Sequence, residues 1–370
     1  MAYALQNLDF QTVLPSFQLV ASCSTMANRP NWTPLHAQLH QTLRQRQLLP
    51  QCQPVLVAVS GGQDSLCLTK LLLDLQPKWG WEIAIAHCDH RWPADDGIAA
   101  HVQHVADNWT LPFYLQTAPE VTTSEAAARQ WRYQALIEVA QAHGYQNVVT
   151  GHTKSDRAET VLYNLIRGTG ADGLQSLTWK RPLAEGLQLV RPLLEITRTQ
   201  TFQFCQQQHL PIWEDAYNQD LKFARTRIRQ ELLPYLQTHF NPQVEKALAQ
   251  TAELLRADVD YLETAAHQLR EQAMIAVDGE EQVTKPGGVD NGCTPPRLNR
   301  LVLRHASLAL QRRVMRQFLT LVQQSAPTFE QIEEMTALIT AQNRSRTSSF
   351  PTGVTGVVED NWITFQQAQK

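Results

Sequence analysis

The chain has 370 residues, 43% of them hydrophobic and 18% charged, with a formal net charge of −3. That length suits two domains with cores of their own, and the composition is that of a globular protein rather than a disordered one. It excludes a spanning-helix membrane protein, since no run approaches the roughly 20 apolar residues required, and a protein that grips nucleic acid by overall basicity. The six cysteines (Cys23, Cys52, Cys67, Cys88, Cys205, Cys293) form no Cys-x-x-Cys pair. This argues against a zinc ribbon, an iron–sulfur site or a disulfide framework, and for reduced thiols in a soluble, cytoplasmic protein.

Residues 1–25 read as a poorly defined extension. Met1 to Ser24 is mildly apolar but has no basic start of the kind a signal peptide carries, and Met26 opens a segment that runs directly into the fold, an alternative start. From residue 54 to about 195, short apolar runs alternate with helical patterns. Strands are expected at Val55–Val59, Glu82–Ala86, Phe113–Gln116, Asn147–Thr150 and Gln188–Val190, with helices at about Ser65–Leu75, Ala94–Asn108, Ser124–His143 and Asp156–Arg167. The alternation predicts an α/β fold, a doubly wound parallel sheet with right-handed crossovers, whose ligands bind at the carboxyl ends of the strands. We expect a catalytic domain over 26–240 and a smaller, mainly helical domain over 241–370.

Past Asn241-Pro242, Leu248, Leu255, Leu262 and Leu269 recur every seven residues with Ala252, Val259 and Ala266 between them. Such a narrow seam packs one helix on another, inside the chain or across a homodimer; the alanines favour the former. A Gly-, Pro- and acid-rich loop over 277–296 follows, then an arginine-rich helix, a helix around Phe329–Ala341 and a small hairpin ending at Trp362–Phe365. Arg297, Arg300, Arg304, Arg312, Arg313 and Arg316 have no acidic residue among them, and Lys222, Arg225, Arg227 and Arg229 form a second basic group. Both could follow a phosphate backbone; both could equally be solvated helix faces.

The most specific motif is Ser60-Gly61-Gly62-Gln63-Asp64-Ser65, between a strand and a helix. Its glycines let successive N–H groups converge beside the first helical turn, where an anion belongs. Ser60 and Ser65 add hydroxyl donors. Asp64 would repel bare phosphate and is better read as a ligand of Mg2+ bridging phosphates. The lysine of the Gly-x-x-x-x-Gly-Lys pattern is missing, so the loop is not the usual kinase or GTPase type. At the end of the second strand stands His87-Cys88-Asp89-His90, whose extended spacing is poor for a metal site. Arg129 and Arg132 share a helix face, and Thr150-Gly151-His152 leads into Asp156 and Glu159 at the start of another helix.

The loop resembles the PP-loop of the N-type ATP pyrophosphatases, which cleave ATP to AMP and pyrophosphate while adenylylating a substrate oxygen. The remaining motifs resemble, in order, those of the tRNA(Ile)-lysidine synthase family. They are the His-Val-Asp-His element with Cys88 for valine, the Glu125-to-Tyr133 helix, the Thr150-to-Gly170 segment, Arg191-Pro192-Leu193-Leu194 and the run Arg225 to Pro234. Departures at Thr153, Ser155, Arg157 and Thr226 leave those positions without assigned roles. The resemblance implies ATP, Mg2+ held at Asp64, L-lysine, and the isoleucine tRNA with a CAU anticodon. It further implies ATP contacts from residues 60–65, Asp89, His90 and His152; phosphate or adenylate contacts from Arg129 and Arg132; and a lysine amine held and deprotonated by Asp156 and Glu159. Acids in a first helical turn also simply complement the helix dipole. A PP-loop tRNA cytidine thiolase, an ammonia-dependent amide ligase and an inactive nucleotide-binding RNA module are the alternatives.

Overall fold

The computed structural model describes residues 32–93, 96–121, 124–213, 221–275, 296–323, 326–351 and 353–367. The expected extension over 1–25 and nearly all of the loop at 277–296 lie outside them. A six-stranded sheet of order β3-β2-β1-β4-β6-β5 forms the centre of the first domain. Its strands are β1 (Pro54–Ala58), β2 (Glu82–Asp89), β3 (Phe113–Thr117), β4 (Asn147–Thr150), β5 (Lys180–Ala184) and β6 (Leu187–Val190). All pair in parallel except β5, which runs antiparallel to β6. β1 buries Val55, Leu56 and Val57 completely, as a continuous apolar run does when helices cover both faces of a parallel sheet.

Those helices are α1 (Pro34–Gln45), α2 (Gln63–Trp79), α3 (Ile98–Asn108), α4 (Glu125–His143), α5 (Lys154–Ile166), the short α6 (Ala171–Leu174) and α7 (Arg198–Gln207). One face of the sheet packs Val55 and Val57 against Leu68, Leu71 and Leu75 of α2. The other packs Leu56, Ala84 and Val148 against Leu136, Val139 and Ala140 of α4. The chain leaves β1 toward β2 and β3 on one side and returns to β4 and β6 on the other, so a crevice opens between the carboxyl ends of β1 and β4. The expected strands and crossovers are therefore present. The helix expected from Ala94 begins instead at Ile98, after Gly97 in the left-handed region at φ 86°. Strand β5 was not expected: Pro182 argues against a strand, but at the sheet edge its missing N–H costs no ladder bond, and the register shifts there.

Helix α8 (Ala224–Arg227) runs through a π-helical turn (Ile228–Leu232) into α9 (Leu233–His239), and α10 (Val244–Ile275) follows. In α10 it is Ala252, Val259, Ala266 and Ala273, seven residues apart, that are fully or almost fully buried; the heptad leucines flank them half-buried. The seam is thus used within the chain. Val244 and Leu248 pack on Ala158 and Leu162 of α5. Ala266 and Ala273 enter a second core with Val314, Met315 and Phe318 of α12 (Leu308–Thr320) and Met335 of α13 (Phe329–Ala337). One continuous helix therefore carries both cores. β7 (Leu298–Asn299), β9 (Trp362–Gln367) and β8 (Val354–Glu359) form an antiparallel sheet, with the short helix α11 (Arg300–Arg304) between β7 and α12. No described helix is long and apolar enough to cross a membrane.

The arginine run, expected either to follow a phosphate backbone or to be a solvated helix face, is largely engaged within the chain. Arg312 makes a two-pronged pair with Glu333, at 2.6 and 2.8 Å. Arg313 Nη1 reaches Asp172 of α6 at 3.2 Å and Glu263 of α10 at 2.8 Å, and Arg316 pairs with the same two carboxylates. Arg300 and Arg304 donate to the carbonyls of Ala341 and Ile339. The Arg313 and Arg316 cluster ties the second domain to the first. Asp172→Ala is expected to cost about 1 kcal/mol, the scale of a half-exposed network, read as a melting temperature lowered by about 2–4 °C, with a smaller drop in high salt.

Candidate active site

The site is a cleft of about 640 Å3 at the β1/β4 crevice. Its floor is the Ser60-to-Ser65 loop. Gly61 sits at φ 86°, where an added Cβ would meet Ile98 at 3.2 Å, so only glycine serves the turn. Ser65, nearly buried, accepts from the Ser60 N–H at 3.2 Å and donates to the Gly62 carbonyl at 2.9 Å, which holds the loop closed on itself. Helix α2 starts at Gly62 with no side-chain cap, whereas α4, α5 and α7 are capped by Ser124, Thr153 and Thr197. The uncapped first-turn N–H groups and the positive end of the dipole at α2 suit an anion.

Gly151, at the exit of β4, brings that chain against this first turn. A Cβ there would lie 2.9 Å from the Asp64 carbonyl carbon and oxygen and 3.0 Å from Ser65 N, all backbone atoms that cannot swing aside. Gly151→Ala is expected to weaken nucleotide binding by about 5- to 150-fold, the 1–3 kcal/mol of an overpacked contact, measurable by calorimetry with a non-hydrolysable ATP analogue. Unchanged affinity would show that the loop tolerates displacement.

Three carboxylates converge beside the loop. Asp64 comes from the first turn of α2, and Asp156 and Glu159 from the start of α5. One guanidinium, that of Arg198 at the first position of α7, meets all three: Nε to Asp64 Oδ2 at 3.1 Å, Nη2 to Asp156 Oδ1 at 2.8 Å and Nη1 to Glu159 Oε1 at 3.3 Å. Thr201 also donates to Asp64, and Arg229 to Glu159 at 3.0 Å. Asp156 doubles as the capping-box partner of Thr153, accepting from its N–H and its hydroxyl at 2.7 Å each.

The environments of these acids differ. Burial raises the Asp64 carboxyl, aided by the Asp156 charge, against the pull of Arg198. Asp156 is also penalised by burial, but Arg198, His152 and the Thr153 bonds together hold it below its ordinary value. Glu159 is pushed up to about 6, by burial first and then by the Asp156 charge. The site thus pairs a fixed anion with a carboxyl near neutrality, the separation that acid–base chemistry uses.

Across the cleft, His90 stacks on Trp92 with centroids 4.8 Å apart and meets Trp131 edge-on. Burial, then Arg132 and His87, lower His90 to about 4; burial, then Arg191, lower His152 to about 3, so both imidazoles are neutral near pH 7. His87 donates Nδ1–H to the Val59 carbonyl at 2.8 Å, and its Nε2, like Nδ1 of His90, is buried without a hydrogen-bond partner. Polar atoms so placed in a cleft wall are explained by a ligand that satisfies them.

Of the expected residues, Ser60, Asp64, Ser65, His90, Arg129, Arg132, His152, Asp156 and Glu159 all line this cleft. Four others are placed differently. Gln63 turns away, donating to the Arg198 carbonyl at 2.8 Å and to Thr201. Asp89 accepts from the Arg91 N–H at 2.7 Å, shaping the turn after β2 rather than lining the cleft. Gly61 and Gly62 contribute backbone only. The residue missed was Arg198. The capping box Thr197-x-x-Gln200 announces the helix start that carries it, four residues past Arg191-Pro192-Leu193-Leu194, but not its role.

Asp64 is the only carboxylate in the loop, and the described residues contain no group of three or more His, Cys, Asp or Glu able to enclose a metal ion. That donor set fits magnesium, which takes one or two protein carboxylates and completes its shell with phosphate oxygens and water, and does not fit a dedicated protein cage.

Residues 33–236 match the model of the PP-loop domain, and residues 298–357 that of the TilS substrate binding domain. A tRNA(Ile)-lysidine synthase of Nostoc sp. is 63% identical over 92% of this chain and 98% of its own. One of Synechocystis sp. is 51% identical over 86% of this chain and 94% of its own. A chloroplastic one of Zygnema circumcarinatum is 34% identical over 80% of this chain and 77% of its own. Among solved structures, a U34-tRNA thiolase of Methanococcus maripaludis shares the fold, with a TM-score of 0.50 at 18% identity over 60% of this chain and 77% of its own.

Proposed function

This chain belongs to the tRNA(Ile)-lysidine synthase family, and we propose that its cleft joins L-lysine to the wobble cytidine of the CAU-anticodon isoleucine tRNA at the cost of ATP. The observation that carries the reading is the meeting of Asp64, Asp156 and Glu159 at the uncapped start of α2. The C2 oxygen of the cytidine attacks the α-phosphate of ATP and pyrophosphate departs. The lysine ε-amine then attacks C2, AMP leaves with that oxygen, and the amine surrenders its protons.

The residues divide this work. The amides of residues 62–65, with the Ser60 and Ser65 hydroxyls, receive the phosphates. Asp64 would hold the magnesium ion, which would supply charge neutralisation for the departing pyrophosphate. Asp156, ionised beside the nucleotide, receives the lysine ammonium, and Glu159 accepts a proton from it. Neutral His90 and His152 give the base or the adenine hydrogen-bonding groups without a competing charge. Arg129 and Arg132, with Arg225 and Arg229 in the same lining, offer guanidiniums to the phosphates of ATP and of the anticodon, whose wobble base leaves its stack to enter. On this reading 26–240 carries catalysis and 241–370 docks tRNA. The setting of such a reaction is the cytoplasm.

A thiolase reading is less well supported. Cys67 and Cys205 are fully buried, and burial pushes the Cys88 thiol up to about 12, so none of these three offers the accessible thiolate that sulfur transfer needs, and the exposed Cys52 does not line the cleft. The deciding test is mass spectrometry of the isoleucine tRNA anticodon after incubation with the protein, ATP and lysine. The expected result is a gain of lysine minus water on the wobble cytidine; a sulfur-for-oxygen gain would replace this reading by the thiolase one.

A further inference from the structure

We propose that Arg198 orders the two small substrates: without nucleotide its guanidinium fills the carboxylate nest, and the phosphates of ATP draw it away and so open that nest to the lysine ammonium. The inference rests on the reading of Asp156 and Glu159 as the amine holders.

Each of the three guanidinium nitrogens of Arg198 faces a different carboxylate, and the contacts span 2.8 to 3.3 Å. A cation so placed occupies the ground an incoming ammonium needs. Both would have to pair with Asp156 and Glu159, and with Arg229 already on Glu159 at 3.0 Å a further cation in this small, partly desolvated nest carries a large penalty while Arg198 stays there. The residue that competes with lysine is also tied to the nucleotide loop, because Asp64 is its third partner and lies in the phosphate-binding turn. Nucleotide phosphates arriving there carry several negative charges and present oxygens in the spacing a guanidinium fork matches best. They would outcompete the carboxylates for Arg198.

The backbone around Arg198 is fixed, so the exchange is a side-chain movement. Its N–H donates to Ser155 Oγ at 3.2 Å, and its carbonyl accepts from Gln63 at 2.8 Å and from Thr201 at 2.9 Å. Ser155 in turn donates to Glu245 of α10 at 2.9 Å. Arg198 is thus a positioning residue whose guanidinium moves while its main chain stays held. By linkage, whatever factor nucleotide adds to lysine affinity, lysine adds to nucleotide affinity.

The test is calorimetric titration of L-lysine into the full-length protein with and without magnesium and the non-hydrolysable analogue AMPCPP. The wild-type protein is expected to bind lysine about 10-fold or more tightly with the analogue, a typical coupling between sites. Arg198→Gln is expected to bind lysine with the same affinity in both states, and Arg198→Lys, which keeps the charge, to retain part of the difference. A purely structural role would lower both affinities without abolishing their ratio. Equal lysine affinity in both states of the wild-type protein overturns the proposal without recourse to any variant, as does full coupling in Arg198→Gln. No lysine binding under either condition would instead remove the amine-holder reading beneath it.

Discussion

Replacing Asp64 by alanine is expected to lower lysidine formation by about 1,000-fold or more, the scale of losing a group that stabilises transition-state charge, while tRNA affinity stays unchanged. Asp64 is the one acid in a loop otherwise made of donors. It lies where its helix's own N–H groups already attract anions, so a carboxylate there works against phosphate binding unless a cation stands between. The cation that meets Asp64 in the structure is Arg198, assisted by a hydroxyl from Thr201. Burial raises the carboxyl, which means the fold holds a charge it does not favour. A position so costly is explained by use, and on the proposed reading that use would be to hold a metal ion beside the departing pyrophosphate. The tRNA is held by other groups, so filter binding of Asp64→Ala with the isoleucine tRNA should match wild type. Turnover at a tenth of wild type or better would remove Asp64 from the chemistry.

The sheet and most of the cleft were legible in the sequence because each depends on short-range signals. A β-branched run ending in Ser-Gly-Gly gives strand, turn and uncapped helix together, and the acids at 156 and 159 follow a glycine at a strand end in the same way. Arg198 was not legible, since nothing local distinguishes it from any arginine after a threonine cap. Its meaning comes from α7 being laid across the starts of α2 and α5. The partners of the arginine run were not legible for the complementary reason: the acids that engage it, Asp172 and Glu263, are 141 and 50 residues from Arg313. Positions 153, 155 and 157, where the chain departs from the family pattern, also acquire roles only in three dimensions. Thr153 caps α5, Ser155 links Arg198 to α10, and Arg157 pairs with Glu253 of α10 while lying over Trp179.

Glu159→Gln tests the second half of the reaction apart from the first. The carboxyl is 4% exposed and raised from 4.5 to about 6, so at pH 7 it is mostly ionised and able to accept a proton from the lysine ammonium. As pH falls through 6 it takes up a proton and the amine stays charged. Lysidine formation by the wild-type protein should therefore fall on the acid side with a midpoint near that value, with Asp156 still ionised because its own carboxyl is held low. In the variant, turnover with lysine is expected to drop by about 100- to 10,000-fold, the contribution of a positioned general base, and the acid limb near pH 6 to disappear. Pyrophosphate release with ATP and tRNA alone belongs to adenylylation and should persist as a stoichiometric burst. Stability runs the opposite way to function. A carboxyl raised on folding disfavours the native state once pH exceeds its unfolded value, here by about 2 kcal/mol at neutral pH, so the variant's melting temperature at pH 7 should not fall. A lost burst, or an acid limb that survives the substitution, would move the proton acceptor to another residue; a lost limb with an intact burst and an intact fold leaves Glu159 as the base.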